Sequence, residues 1–273
     1  VRRNAAIAAV LLGFSVLAST VVALADTSIT AAGSTALLPL VKDAAEAYQA
    51  QHSDVKISVS GGGSGTGINQ VTQKAIDIGD SDILAPAGST LHDNRVAVIG
   101  FAVVANPSVG VKGLTRQQIR DIYSGKVTNW KQVGGADLKV VPVNRTRGSG
   151  TRVVFEKTVI APDKVDESFV SEDATGTVVG FVKQTPGAIS YAAFSGTKNA
   201  TGILELAIDG VPATDANVVT GKYPFWSYEH MFTNGAPTGE VQKFIAFIAG
   251  NNDLLKKNGF IRIADMKTTE SDR

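Results

Sequence analysis

The sequence predicts an α/β fold with mostly parallel sheets and flanking helices, and three observations predict it. Strand-like and helix-like runs alternate along nearly the whole chain, the pattern of sheets covered by helices. One run, Val96 to Ala105, is apolar throughout apart from Gly100, as expected of a strand buried on both faces. Three loops rich in glycine and hydroxyl residues each stand between a strand-like and a helix-like run: Ala32-Gly33-Ser34-Thr35, Gly62-Gly63-Ser64-Gly65-Thr66-Gly67, and Arg145-Thr146-Arg147-Gly148-Ser149-Gly150-Thr151. In open α/β sheets, ligands bind at the carboxyl ends of strands, where the next helices begin.

Ser28 to Ala32 reads as a short strand. Thr35 to Gln51 follows as a helix, with Leu37, Leu38, Val41, Ala44, Ala45 and Tyr48 at helical spacing and Pro39 near its start, where proline is tolerated. Val55, Ile57 and Val59 alternate as a half-buried strand over 55–60. After the glycine loop, Ile68 and Val71 share a face of a helix over 68–74, and Ile76 to Gly79 is a strand leading into Asp80-Ser81-Asp82. The apolar strand 96–105 comes next. Thr115 and Gln118 are spaced as a capping box for a helix over 115–124, with Gly125 at its end. Leu138 to Val143 is a strand, and the arginine loop opens the helix after it. Thr175 to Gln184 is a helix closed by Pro186-Gly187, followed by strands over 188–192 and 203–208 and a further strand over 230–233. Glu240 to Ala249 is an amphipathic helix with Val241, Phe244, Ile245 and Ile248 inward and Gly250 closing it. No internal repeat and no long linker interrupts the series.

The N-terminus carries Arg2 and Arg3, an apolar, alanine-rich run to Ala25, and Ala23-Leu24-Ala25 as a small-x-small site. This reads as a secretory signal peptide cleaved after Ala25; the other reading is a retained membrane anchor. No cysteine follows, so a lipid anchor on cysteine is excluded, as are disulfides, zinc-thiolate sites and thiol nucleophiles. A content of 44% hydrophobic and 19% charged residues describes a folded protein rather than a disordered one. Net charge is +1; without residues 1–25 it is −1, from 24 basic and 25 acidic residues. Nothing there attracts nucleic acid, and an anion ligand would have to be held by local donors.

Those local donors are what the three loops offer. A helix start presents unpaired N–H groups and the positive end of its dipole; glycine permits close approach and Ser or Thr adds a hydroxyl. One such loop is an ordinary turn more often than a site. Three of them, one carrying an arginine, point to a pocket around an oxyanion. Other chemistries find less support. His52, His92 and His230 lack metal-ligand spacing, so no metal or cofactor is expected. Gly148-Ser149-Gly150 is not a nucleophile elbow. The 62–67 loop lacks the lysine of a nucleotide-hydrolysing phosphate loop.

In this order the motifs resemble those of the phosphate-binding proteins that serve bacterial ABC importers, in their shorter form. The marks are Ala32-Gly33-Ser34-Thr35, Gly63-Ser64-Gly65, Asp80-Ser81-Asp82, Asn129-Trp130 with Gly134-Gly135, Arg145 with Gly148-Ser149-Gly150-Thr151-Arg152, and Tyr223-Pro224. The resemblance spans nearly all of residues 26–273. It implies a two-lobed periplasmic-binding-protein-like fold of type II, crossed twice by the chain, near Val104–Ala105 and near Tyr223–Trp226. Lobe one is then 26–104 with 226–273, and lobe two 105–225.

The resemblance also implies a non-enzymatic receptor that binds inorganic phosphate between the lobes. It would hand the ion to a membrane permease, as a secreted monomer. The implied contacts are Ser34, Thr35 and Ser64 from lobe one; Ser149, Gly150 and Thr151 from lobe two; and Arg145 as the positive charge. Asp82 would accept the proton that hydrogen phosphate carries and sulfate lacks; on the sequence alone it serves equally as a helix cap or an arginine's partner. Arg147 departs from the family, whose members often have an acidic or small residue there, and leaves selectivity open; its simplest place is the surface. Arg152 reads most simply as an exposed residue of the first helical turn, the other reading being a place at the lobe interface. Rival readings keep the fold with sulfate, molybdate, tungstate or a phosphonate as ligand, make the protein a phosphatase or serine hydrolase, or make it a surface sensor or adhesin.

Overall fold

The computed structural model describes residues 27–272; the signal-peptide reading and the cleavage after Ala25 lie outside them. Strands and helices alternate through the first half as β1 (Thr27–Gly33), α1 (Leu38–Gln51), β2 (Val55–Ser60), α2 (Ser64–Thr72), β3 (Ile78–Ser81), β4 (His92–Ala105), β5 (Gly113–Leu114) and α3 (Arg116–Tyr123). They continue as β6 (Val141–Arg145), α4 (Gly150–Phe155), β7 (Val170–Glu172), α5 (Thr175–Gln184), β8 (Ala188–Ala193), α6 (Phe194–Thr197), β9 (Leu204–Ile208), α7 (Asp215–Val219), β10 (Trp226–Thr233), α8 (Gly239–Gly250), α9 (Asn252–Lys257) and β11 (Phe260–Ile261). The main path of the sheet runs β2-β1-β3-β10-β4-β8-β6-β7. Its flanks are parallel, as the alternation predicts: β1 pairs with β2 and β3, and β6 with β7 and β8. The centre is antiparallel, because β10 returns along β3 and β4 and β4 runs against β8.

β4 holds the two halves together. Its first part, His92–Gly100, pairs with β10, and Phe101–Ala105 pairs with β8, joined by β9 from Val103. The exchange of partners falls at Gly100–Phe101. Gly100 explains the place: a Cβ there would stand 2.3 Å from Cε2 of Phe194, so only glycine lets that ring pack where the strand changes sides. The residue just ahead of β10 runs alongside, with the Phe101 N–H bonded to Phe225 O at 2.9 Å and the two rings 5.0 Å apart. Every residue from Val96 to Ala105 except Gly100 belongs to the buried hydrophobic core, as the unbroken apolar run requires. Trp130 is a packing residue, buried with its indole N–H on Gly187 O.

Several element boundaries differ from the expectation for local reasons. α1 starts at Leu38 rather than Thr35, because the Ser34 hydroxyl takes the Ala36 and Leu37 N–H groups (3.1 Å each) and shapes a turn first. α2 starts at Ser64 rather than Ile68, since its first turn, Ser64-Gly65-Thr66-Gly67, has no apolar period to read. β10 begins at Trp226, ahead of the expected His230, and contains the buried Glu229. The Thr115–Gln118 capping box of α3 forms in both directions.

Candidate functional site

The three loops converge where the two halves of the sheet face each other. β1 ends at Gly33 with φ 141°, and a Cβ there would overlap the carbonyl of Asp80 at 2.1 Å; glycine is obligatory. Gly67 and Gly79 allow α2 to lie directly on β1 and β3: a Cβ on Gly67 would be 2.6 Å from Ala32 O, and one on Gly79 would be 2.5 Å from Gly67 O. This close packing brings Ser64 to Asp82, whose N–H donates to Ser64 Oγ at 3.0 Å. The arginine loop is set by Ser149, which caps α4 by accepting from the Arg152 N–H.

Contacts across the two halves then close the site. The Gly65 N–H donates to Gly148 O at 3.0 Å, and the Ser195 hydroxyl to Ala36 O at 2.7 Å. Gly150 lies so close to the opposite loop that a Cβ on it would meet Ser64 Oγ at 2.2 Å and Asp82 Cβ at 2.9 Å.

Asp82 is buried and accepts hydroxyl hydrogen bonds on both oxygens, from Ser34 on Oδ1 and from Thr151 on Oδ2 (2.7 Å). Burial raises its pKa; the bonds from Ser34 and Thr151 and the charge of Arg145 pull it back. A carboxylate has about four lone-pair positions, so two remain for a further donor. The Thr151 hydroxyl, expected to face an anion, is thus engaged with Asp82.

Arg145 is only 1% exposed. Its Nε donates to Glu172 O, and its Nη2 to Asp173 O (3.0 Å) and Thr35 Oγ1 (3.2 Å), while Nη1 is buried without a partner. Desolvation lowers its pKa, opposed by Tyr191, Asp82, Asp173 and Glu172. Thr35 Oγ1 also accepts from the Thr175 N–H at 3.2 Å. With both lone pairs engaged, the Thr35 hydroxyl proton is left to donate outward. Its neighbour Thr175, at the start of α5, has a buried hydroxyl without a partner.

All eight expected residues, Ser34, Thr35, Ser64, Asp82, Arg145, Ser149, Gly150 and Thr151, therefore meet in one place. Arg147 is 80% exposed and pairs with Glu167 at 3.1 Å. Arg152 is not the exposed first-turn residue expected. It is buried, with its guanidinium on Arg145 O (2.9 Å), Glu156 and Glu167 (2.6 Å each), because α4 turns its first turn back over β6. Sequence reasoning missed Thr175, which lies in no glycine loop, and Glu229, which lies in the part of β10 ahead of the expected strand and is flanked by polar residues that give no sign of its burial.

Asp80 and Glu229 are both 0% exposed. Burial raises their pKa values well above the ordinary carboxylate range, and the neighbouring carboxylates add to the shift. The folded chain thus binds protons that the unfolded chain, titrating near 3.8 and 4.5, releases. The stabilisation from these groups is full at low pH and is lost as pH rises above those values. Urea unfolding at about pH 5.5 and about pH 8 should show lower stability at the higher pH. An Asp80→Asn, Glu229→Gln double variant should flatten that slope.

A site with a buried guanidinium, a carboxylate beside it and a ring of hydroxyls suits a small oxyanion that carries a proton. The comparisons agree with this chemistry. A model of the PBP superfamily domain matches residues 18–252. The phosphate-binding protein PstS of Bacillus subtilis (strain 168) is 39% identical over 253 residues, covering 90% of this chain and 84% of that protein. The crystal structure of a phosphate ABC transporter substrate-binding protein from Clostridium perfringens, with phosphate bound, has a TM-score of 0.82 at 30% identity and covers 87% of this chain and 100% of its own. An ABC-type phosphate transport receptor from Vibrio cholerae has a TM-score of 0.65 at 28% identity, over 86% of this chain and 99% of that one. Sequence, fold and the chemistry of the pocket lead to one family: the chain belongs to the PBP superfamily and, within it, to the phosphate-binding proteins of ABC transporters.

Proposed function

We propose that this chain is an extracytoplasmic receptor that captures inorganic phosphate between its two lobes and delivers it to the membrane permease of an ABC importer. Membership of a family of transport receptors makes it a binding protein rather than an enzyme. The observation that carries the ligand assignment is Arg145, a buried cation with Nη1 unpartnered, in one site with the buried acceptor Asp82. The pair favours an anion that brings its own proton. Phosphate oxygens would take donors from Arg145, Thr35, Ser64, Ser149 and the Gly150 N–H. Ser34 and Thr151 would orient Asp82 toward the phosphate O–H. Fully ionised sulfate would set acceptor against acceptor there.

The two lobes of this reading are 26–104 with 226–273, and 105–225, with the β4 partner exchange drawing the first boundary toward Phe101. No helix among the described residues is long and apolar enough to cross a membrane. The proposed form is a secreted monomer, cleaved after Ala25, that binds no nucleic acid. Mass spectrometry of the native N-terminus tests the cleavage.

Calorimetry on residues 26–273 freed of ligand, with phosphate and then sulfate, tests the function. One-to-one phosphate binding without a sulfate signal is expected. Binding of both, or of sulfate alone, overturns the role of Asp82, and binding of neither turns the reading to a surface sensor or adhesin. Closure can be tested separately with Gly150→Ala. Its methyl would run into Ser64 and Asp82 of the other lobe. Overpacking of this kind should weaken phosphate by about tenfold or more and leave the phosphate-loaded protein with a larger radius of gyration in solution scattering.

A further inference from the structure

Beside Asp82 lie two carboxyls to which phosphate capture assigns no task. Asp80 has no hydrogen-bond partner on either oxygen. Glu229, on β10, has a long contact from the Ser227 hydroxyl to Oε1 (3.5 Å) and no partner on Oε2. β10 lies antiparallel to β3 with His230 opposite Ser81 and Met231 opposite Asp80, a register that sets the buried Glu229 next to the buried Asp82; the Asp82 charge helps hold the Glu229 carboxyl above the ordinary range. A buried carboxyl with a bare oxygen next to a carboxylate is least costly when it carries a proton.

Among the described residues, the groups acting on Glu229 are carboxyls and a hydroxyl, not cations. Asp80 and Asp82 face it from β3 and the loop that follows. On β4, Asp93 is held by His230 at 2.7 Å and Arg95 lies over the Tyr228 ring. α2 carries no titratable side chain. Glu270 accepts from the Tyr228 N–H.

We propose that Glu229 is a positioning residue for anion selectivity: carrying its proton, it donates toward Asp82 and leaves Asp82 as the ionised acceptor that meets the ligand. This rests on the phosphate reading above. Four acceptor positions on Asp82 are then shared among Ser34, Thr151, Glu229 and the ligand O–H. Each of the three protein donors stabilises the carboxylate form. Removing the Glu229 donor lets Asp82 take up a proton more readily. A protonated Asp82 can donate to sulfate, so the barrier against sulfate weakens.

The test measures phosphate and sulfate affinity from about pH 5 to about pH 8 for the parent, Glu229→Gln and Glu229→Met. The glutamine keeps a neutral donor; the methionine keeps the volume and removes it. Glu229→Gln should retain the parent preference. Glu229→Met should shift the sulfate-to-phosphate ratio toward sulfate by about tenfold or more, most strongly at the acid end. Comparing the variants at one pH cancels the titration of phosphate itself. An unchanged ratio in Glu229→Met, or an equal shift in Glu229→Gln, overturns the proposal.

Infrared difference spectroscopy gives a readout that needs neither ligand nor the methionine variant. The parent at neutral pH should show a protonated carboxyl band that Glu229→Gln lacks, and absence of that band overturns the proposal even if Glu229→Met does not fold. A parent that fails to prefer phosphate refutes the ligand assignment instead, while the infrared result still decides the protonation of Glu229.

Discussion

Phosphate affinity should fall by about a thousandfold when Arg145 is replaced by methionine, because breaking one side of a buried charge pair costs about 3–5 kcal/mol and each 1.4 kcal/mol is tenfold. The guanidinium is buried, and its Nη1 has no protein acceptor. In the proposed complex that nitrogen is the donor with nothing else to serve. Without it, the anion would meet the Asp82 carboxylate with no cation opposing it. Lysine at 145 keeps a charge but loses the planar fork that reaches Glu172 O, Asp173 O and Thr35 at once, so its affinity should lie between the two. Calorimetry reads the loss, and thermal unfolding of the same samples checks the fold. Methionine also removes a costly buried charge, so the melting shift should be small beside the binding loss. An Arg145→Met protein that binds phosphate within tenfold of the parent would end the assignment.

The second large effect concerns selectivity rather than affinity. Asp82→Asn is nearly isosteric but presents an N–H₂ where the parent presents an acceptor. Its carbonyl oxygen can keep one of the Ser34 and Thr151 bonds. Phosphate should weaken by about tenfold to a hundredfold through the lost charge-assisted bond, and sulfate should begin to bind. The selectivity ratio would then change by about 10⁴, the scale at which a polar site rejects an analogue that leaves its groups unpaired.

The pH profile supplies an independent check with a defined sign. Burial raises the Asp82 pKa, so the acceptor form in the parent is lost as pH falls through a value above the ordinary 3.8. Parent affinity should therefore decline on the acid side, and this limb should be absent in Asp82→Asn. An Asp82→Asn variant that still excludes sulfate would falsify the proton-reading account.

Much of this was legible in the chain because it is written locally. The strand Val55–Ser60 follows from strict alternation and has the expected bounds. The helix Thr175–Gln184 follows from its period and its terminating Pro-Gly, and the Thr115 capping box from two residues at fixed spacing. Short pieces such as β5, β7 and β11 carry too few residues for any period, and tertiary pairing alone makes them strands. Arg152 was misplaced for a related reason. Its type favours the surface, but a carbonyl of the neighbouring strand, Glu156 one turn on at the end of the same helix and Glu167 beyond it outweigh that preference.

Local patterns in the chain set the alternation that makes the fold α/β, the buried strand at its centre, the three glycine-hydroxyl loops that carry Ser34, Thr35, Ser64, Arg145, Ser149, Gly150 and Thr151, and the Asp80-Ser81-Asp82 motif that carries Asp82. Each is a pattern within a few neighbouring residues. Who faces whom comes from the packing of the whole chain: Thr151 turned to Asp82, Thr35 caught between Arg145 and Thr175, and Glu229 and Asp80 buried as bare acids beside the site. Those pairings join residues far apart in the chain, and their energetics depend on burial, which no local pattern encodes.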